Sequence, residues 1–201
     1  MMIKAVYWDI GGVLVRTGNR QPRQELAARF GLSYQELEEL VFGSDLGRKA
    51  QRGEIPEPER WAHLVDELGI PLEEVPAVRQ AFFGGDFLDE DLVAYIRRLH
   101  ERYQTGVISN AMGGVRRFIE VECGLADAFD HMTFSAEVGV MKPDARIFHH
   151  ALAGLGVQPA EAAFVDDFLH NVEAACTVGM HAVHFRTPAQ AMADLDLVLT
   201  G

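Results

Sequence analysis

The feature that most constrains this chain is a set of short, almost uninterrupted apolar runs: Ile3–Trp8, Thr105–Ile108, Met132–Phe134, Ala162–Val165 and Ala182–Phe185. Runs this short, rich in β-branched and aromatic residues, read as strands buried on both faces, as in parallel sheets. Helical periodicity fills the spaces between the later runs. Leu92, Ile96 and Leu99 share one face before the second run, and Ile147, Phe148, Ala151, Leu152 and Leu155 share one before the fourth. Strand alternating with helix predicts an α/β fold with a doubly wound parallel sheet.

The first interval is different. Residues 17–86 contain no convincing strand but four helical stretches, Gln24–Phe30, Tyr34–Phe42, Pro58–Leu68 and Leu72–Phe83, each followed by a glycine suited to a C′ position. This predicts a small all-helical insertion at 17–86 in a core made of 1–16 and 87–201. Trp61, Phe42 and Tyr34 are expected in its core. Gly18 and the pair Gly84-Gly85 are expected as hinges, because glycine tolerates large backbone changes.

The net charge of −12, from 18 basic and 30 acidic residues, argues against a nucleic-acid partner. Such proteins carry a basic face, since phosphate contacts dominate their affinity. A bound anion would need a local device, such as a metal ion, helix N-termini or one placed lysine. Cys123 and Cys176 form no paired motif, which favours a reducing compartment. The apolar Met1–Val15 stretch is broken by Lys4, Asp9 and two glycines, and no run reaches transmembrane length. A soluble, cytoplasmic protein without a membrane partner is expected; oligomeric state is not legible.

Ligands of open parallel sheets bind beyond the carboxyl ends of the strands. There the sequence places Asp9-Ile10-Gly11-Gly12, Ser109-Asn110, the Lys142-Pro143-Asp144 loop, Asp166-Asp167 and Arg186-Thr187. Singly, each has a plain structural explanation. Asp9 suits a turn; Ser109, Asn110 and Asp167 suit helix N-caps; Lys142 suits a solvated surface. Together they are chemically complete for phosphoryl transfer. Asp9 and Asp166 suit a hard divalent cation. A hydroxyl, an amide and backbone N–H groups suit a phosphoryl group, and Lys142 neutralises nucleophile and phosphate together.

These residues resemble the haloacid dehalogenase-like hydrolase superfamily. Its four motifs are similar to Trp8-Asp9-Ile10-Gly11-Gly12-Val13-Leu14, Val107-Ile108-Ser109-Asn110, Met141-Lys142-Pro143-Asp144 and Phe164-Val165-Asp166-Asp167 with Asn171 following. The insertion lies where that family places its C1 cap. The resemblance implies a Mg²⁺-dependent phosphatase acting on a small phosphorylated metabolite. It makes Asp9 nucleophile and magnesium ligand, with Asp166 and the Gly11 carbonyl as further ligands. Ser109 and Asn110 hold the phosphoryl group, Lys142 orients and neutralises, and Asp167 and Asn171 support from behind.

One departure is informative. Most phosphatases of this family carry an aspartate two residues after the nucleophile as general acid and base, and here that position is Gly11. General acid–base catalysis is worth about 10²–10⁴-fold. The expected substrate therefore has a leaving group that departs with little protonation, such as glucose 1-phosphate, on which a similar bacterial subgroup acts, or an acyl phosphate. The alternatives are a 2-haloacid dehalogenase, which also lacks the second aspartate but needs no metal, and a non-catalytic phosphate-binding protein. Arg16, Arg48, Arg52 and Glu54 stand as unranked substrate contacts. His149, His150, His181 and His184 read as surface or packing residues, and His170, beside the fourth motif, as solvated.

Overall fold

The computed structural model describes residues 2–200. Its strands are β1 (Ala5–Trp8), β2 (Val15–Thr17), β3 (Asp86–Leu88), β4 (Gln104–Ser109), β5 (His131–Phe134), β6 (Ala162–Asp166) and β7 (His181–His184). Five of them form one sheet in the order β5-β4-β1-β6-β7, with every pairing parallel. The strand order reverses beside β1, so the carboxyl ends of β1, β4 and β6 open onto a single crevice.

Alternation along the strands explains why both faces are covered. Val6, Trp8, Val107, Ala163 and Val165 face one apolar cluster, with α6 (Glu90–His100) packed on it through Leu92, Ile96 and Leu99. Ala5, Tyr7, Ile108, Ala162 and Phe164 face the other. The helices that follow β4 and β5 are the short α7 (Val115–Arg117) and α8 (Ser135–Val138). On the second face α9 (Ala145–Leu155) packs through Ile147, Phe148, Ala151 and Leu152, beside α10 (Leu169–Val178), and α11 (Pro188–Thr200) closes the described chain. Phe148 and Phe164 are fully buried, each contributing about 1.5–3 kcal/mol of transfer free energy. No described helix is long and apolar enough to cross a membrane.

Between β2 and β3 the chain forms five helices at Gln21–Arg29, Tyr34–Glu38, Asp45–Gln51, Glu57–Glu67 and Val75–Phe83. Ser33 and Glu36 make a reciprocal capping box for the second, and the Ser44 hydroxyl caps the third. Leu37, Trp61, Leu64, Val78 and Phe82 are buried at their centre. Arg23, also buried, stacks on Phe82 and ties Glu38 to Asp86.

Three details depart from the sequence expectation. Residues 17 and 86, expected to bound a strand-free insertion, lie inside an antiparallel ribbon: Thr17 of β2 pairs with Asp86 of β3. At three residues each, these strands are too short to show a period of two. The hinge glycines extend that ribbon, because the amides of Gly18 and Asn19 both donate to the Gly85 carbonyl. Of the four glycines assigned to helix ends, Gly31 and Gly69 adopt the left-handed conformation that this role requires, whereas Gly43 and Gly84 do not. Phe42, 36% exposed, sits at the edge of the insertion's core with its ring edge-on to the buried Phe82, ring centroids 5.5 Å apart, and Tyr34 is only half-buried.

Candidate active site at the carboxyl edge of the sheet

β1, β4 and β6 deliver Asp9, Ser109 and Asp166 to the crevice because all three strands run the same way. Asp9 is 6% exposed and Asp166 fully buried. Lys142 arrives from the loop before α9, whose first turn is capped by the Asp144 carboxylate accepting from the Arg146 amide at 2.9 Å. The Lys142 ammonium has three protons and three partners: the Ile108 carbonyl at 2.9 Å, Asp166 Oδ2 at 2.6 Å and Asp9 Oδ1 at 3.0 Å. A buried cation so held locks two carboxylates side by side.

Each carboxylate has its own environment. Asp9 Oδ1 accepts from the Ile10 amide at 2.7 Å as well as from Lys142, which fixes the carboxylate plane and leaves Oδ2 outside these bonds. Burial pushes the Asp9 carboxyl up, Lys142 opposes this, and Asp166 adds to it. Asp166 is saturated with donors: Oδ1 accepts from the Phe168 amide at 2.7 Å, Oδ2 from Lys142, and both from the Asn171 side-chain amide at 3.1 and 3.2 Å. Asp167 is the opposite case. Its Oδ1 is buried without a partner, and burial, then the charges of Asp9 and Asp166, push its carboxyl up to about 7.

The two glycines after Asp9 are not interchangeable. Gly12 has φ +80°, and a Cβ there would collide with the Asp167 carboxylate, so this position demands glycine. Gly11 is exposed, and a Cβ there would meet nothing within 4 Å. Ser109 is buried at the base of the site, close enough to Asp9 to hold its carboxyl down against the effect of burial. Asn110 is engaged otherwise than its motif position suggests. Its side-chain nitrogen donates to the Lys142 carbonyl at 2.9 Å and its oxygen accepts from the Lys142 amide at 2.7 Å. That side chain clamps the lysine loop to β4.

The structure thus brings Asp9, Ser109, Lys142, Asp166, Asp167 and Asn171 together. His170 is exposed, as are His149, His150 and His181. His184 is better placed than expected: its Nε2 lies 3.0 Å from the Asp167 carbonyl, which can only accept, so the ring donates and steadies the loop. Nothing in the sequence distinguished it from His181 at the other end of the same short strand. Ser135, unremarked in the sequence, is fully buried. Its hydroxyl accepts from the Ala111 amide at 2.9 Å and donates to the Gln51 carbonyl at 2.6 Å.

Asp9, Asp166 and Asp167 each offer an oxygen within 4.8 Å of the others. Three carboxylates in so small a volume repel, and one lysine cannot neutralise them. The unpartnered Asp167 oxygen and the all-oxygen donor set fit a hard divalent cation. This crowding has a measurable consequence. Free aspartate titrates near 3.8 and Asp167 near 7, so the folded chain binds more protons than the unfolded chain between these limits. The stability associated with Asp9 and Asp167 is therefore present at low pH and is lost as pH rises through about 7. In EDTA the melting temperature is expected to fall from pH 5 to pH 8, and Mg²⁺ to restore it. Asp167→Asn is expected to flatten the slope; a melting temperature that rises across this range would show that the repulsion is not felt.

A doubly wound parallel sheet that gathers three crowded carboxylates and a buried lysine at its carboxyl edge is an α/β-class fold with an enzyme-like site. The chain belongs to the haloacid dehalogenase-like hydrolase family, whose model matches residues 3–179. It is 29% identical over 188 residues to the sesquiterpene phosphatase of Aspergillus oryzae, covering 90% of this chain and 89% of that one. Its fold is that of a predicted HAD-like family hydrolase from Porphyromonas gingivalis, with TM-score 0.81, 23% identity and all of both chains covered. It is also that of a HAD family enzyme from Bacteroides thetaiotaomicron in complex with magnesium and inorganic phosphate, with TM-score 0.75, 21% identity and 92% and 94% coverage.

Proposed function

We propose that this chain is a magnesium-dependent phosphatase that hydrolyses a small phosphorylated metabolite through an aspartyl-phosphate on Asp9. The observation that carries the reading is the carboxylate trio around Lys142. Asp9 and Asp167 contribute the least committed oxygens toward a cation, together with the exposed Gly11 carbonyl. Asp166 backs them through Lys142 and Asn171. Bound there, Mg²⁺ supplies charge neutralisation and holds phosphate oxygens. A 2-haloacid dehalogenase needs no cation, which would leave three crowded carboxylates without a purpose.

The chemistry follows from the side chains. Lys142 offsets the charge of Asp9, so the carboxylate approaches an anionic phosphoryl group. Asp9 forms the new O–P bond, the bond to the leaving oxygen breaks, and the electron pair stays on that oxygen. Ser109 and backbone N–H groups of the turn after β4 hold the equatorial oxygens. Water then cleaves the acyl phosphate, which releases phosphate and regenerates Asp9. The helical insertion acts as a cap over this edge and limits water access. It is fastened there by Met112, which leaves the β4 turn to join the insertion's apolar cluster.

No side chain at Gly11 protonates the leaving oxygen, so substrates with stable leaving anions are favoured. Glucose 1-phosphate, whose leaving oxygen is anomeric, is the representative case, with acyl phosphates beside it. In Mg²⁺, glucose 1-phosphate is expected to turn over faster than glucose 6-phosphate, and EDTA to stop both. A clear preference for the 6-phosphate would overturn the leaving-group reading, and undiminished turnover in EDTA the metal reading.

A further inference from the structure

A cationic feature lies beside the loop that carries Lys142. An open groove of about 450 Å³ runs between the third insertion helix, Asp45–Gln51, and the loop that carries Lys142. Arg48, Arg52 and Arg146 line it, with Lys142, Pro143 and Asp144 among its walls. Lys142 separates the two places: its buried ammonium is turned to Asp9 at 3.0 Å, and the residue forms part of the groove wall.

Three observations mark this groove as built. Arg48 and Arg52 are four residues apart at the end of one helix, a spacing that puts both on the same face. In a chain of net charge −12, three arginines around one hollow stand against the overall field. The helix is also fixed in place. The buried Ser135 hydroxyl binds the Gln51 carbonyl at 2.6 Å, and Gly53 packs so tightly on the Ala136 carbonyl that no Cβ fits. Each arginine is parked on a neighbouring carboxylate, Arg48 on Asp45, Arg52 on Glu54 and Arg146 on Asp144. The pairs of Arg48 and Arg52 are single surface contacts, so they hold weakly and yield to a better anion, whereas Arg146 forks onto Asp144 through Nε and Nη2.

We propose that the groove is a subsite for a second phosphate carried on the leaving portion of the substrate, held by Arg48, Arg52 and Arg146. The inference rests on the phosphatase reading of Asp9 and narrows its substrate class. One phosphoryl group reacts at Asp9, and the other sits across Lys142 among the arginines. Guanidinium groups suit that task, because their planar forks meet phosphate oxygens bidentately.

The test compares matched pairs in Mg²⁺: glucose 1-phosphate with glucose 1,6-bisphosphate, and AMP with ADP. The first pair places the extra phosphate far from the scissile bond, and the second places it directly on the reacting phosphorus. In the glucose pair the doubly phosphorylated member is expected to have a kcat/KM about tenfold or more higher, the gain of one or two charge-assisted hydrogen bonds. ADP also has the better leaving anion, so in that pair only the part of the gain lost on arginine substitution counts. In Arg48→Gln/Arg52→Gln the glucose ratio is expected to fall to about one, mainly through KM, and Arg146→Gln to lower it by a smaller factor. Arg97→Gln, an exposed arginine paired with Asp127 on the far side of the core helix, is expected to keep the wild-type ratio. Unchanged circular dichroism shows that the variants fold. Wild-type ratios near one in both pairs, or ratios that the double substitution leaves unchanged, overturn the subsite and leave the phosphatase reading intact. Absence of Mg²⁺-dependent phosphate release from all four compounds overturns both.

Discussion

Asp9→Asn is expected to lower phosphate release by about 10⁴-fold or more while leaving the protein folded. The amide is close to isosteric with the carboxylate and still accepts from the Ile10 amide and Lys142, so the local geometry survives. It is a far poorer nucleophile and forms no acyl phosphate. A 10⁴-fold loss corresponds to about 5 kcal/mol of transition-state stabilisation. The same substitution removes one of three crowded carboxylates, so the metal-free variant is expected to melt at or above the wild-type temperature at pH 8. Activity and stability then move in opposite directions, which separates a lost nucleophile from a damaged fold. Phosphate release within tenfold of wild type would remove Asp9 from the chemistry.

Gly11→Asp is expected to produce a gain, and to produce it selectively. The position has an ordinary backbone conformation and open space, so a carboxylate enters without strain. It lies two residues past the nucleophile, on an exposed turn where a side chain meets no obstacle. For substrates whose leaving oxygen must be protonated, such as glucose 6-phosphate, kcat is expected to rise by about 10²–10⁴-fold. Acyl phosphates, which need no such proton, are expected to change little. The opposite choice at Gly12 is forbidden, because there the left-handed backbone and the Asp167 carboxylate exclude any side chain. Equal effects of Gly11→Asp on both substrate types would show that protonation of the leaving group does not limit turnover.

The match between strand ends and chemistry was legible in the sequence because burial on both faces writes itself as continuous apolar runs. Once those runs were read as parallel strands, the polar residues that end them had to meet at one edge. Asp9, Ser109 and Asp166 follow from that alone, whereas Lys142, in a loop beyond β5, was picked out only as part of the constellation. The ribbon of β2 and β3 was not legible, because three-residue strands exposed on one side carry no pattern distinct from a loop. The partial exposure of Phe42 was not legible either: it lies in a wide helical turn at Glu39–Gly43, whose period differs from that of the α-helix assumed for the stripe.

By itself the sequence determined the α/β topology, the helical insertion and the identity of the groups at the crevice, since these follow from hydrophobic period and strand polarity. Only the tertiary structure decided how hydrogen bonds are shared among those groups. Adjacent aspartates in one dipeptide are equivalent on paper. Folded, Asp166 spends its oxygens on Lys142, Asn171 and a backbone amide, while Asp167 keeps one free. Likewise the side chain of Asn110 is consumed in clamping the lysine loop, and arginines from two distant segments meet across one groove. Such assignments depend on distances between residues far apart in the chain, and local pattern carries no record of them.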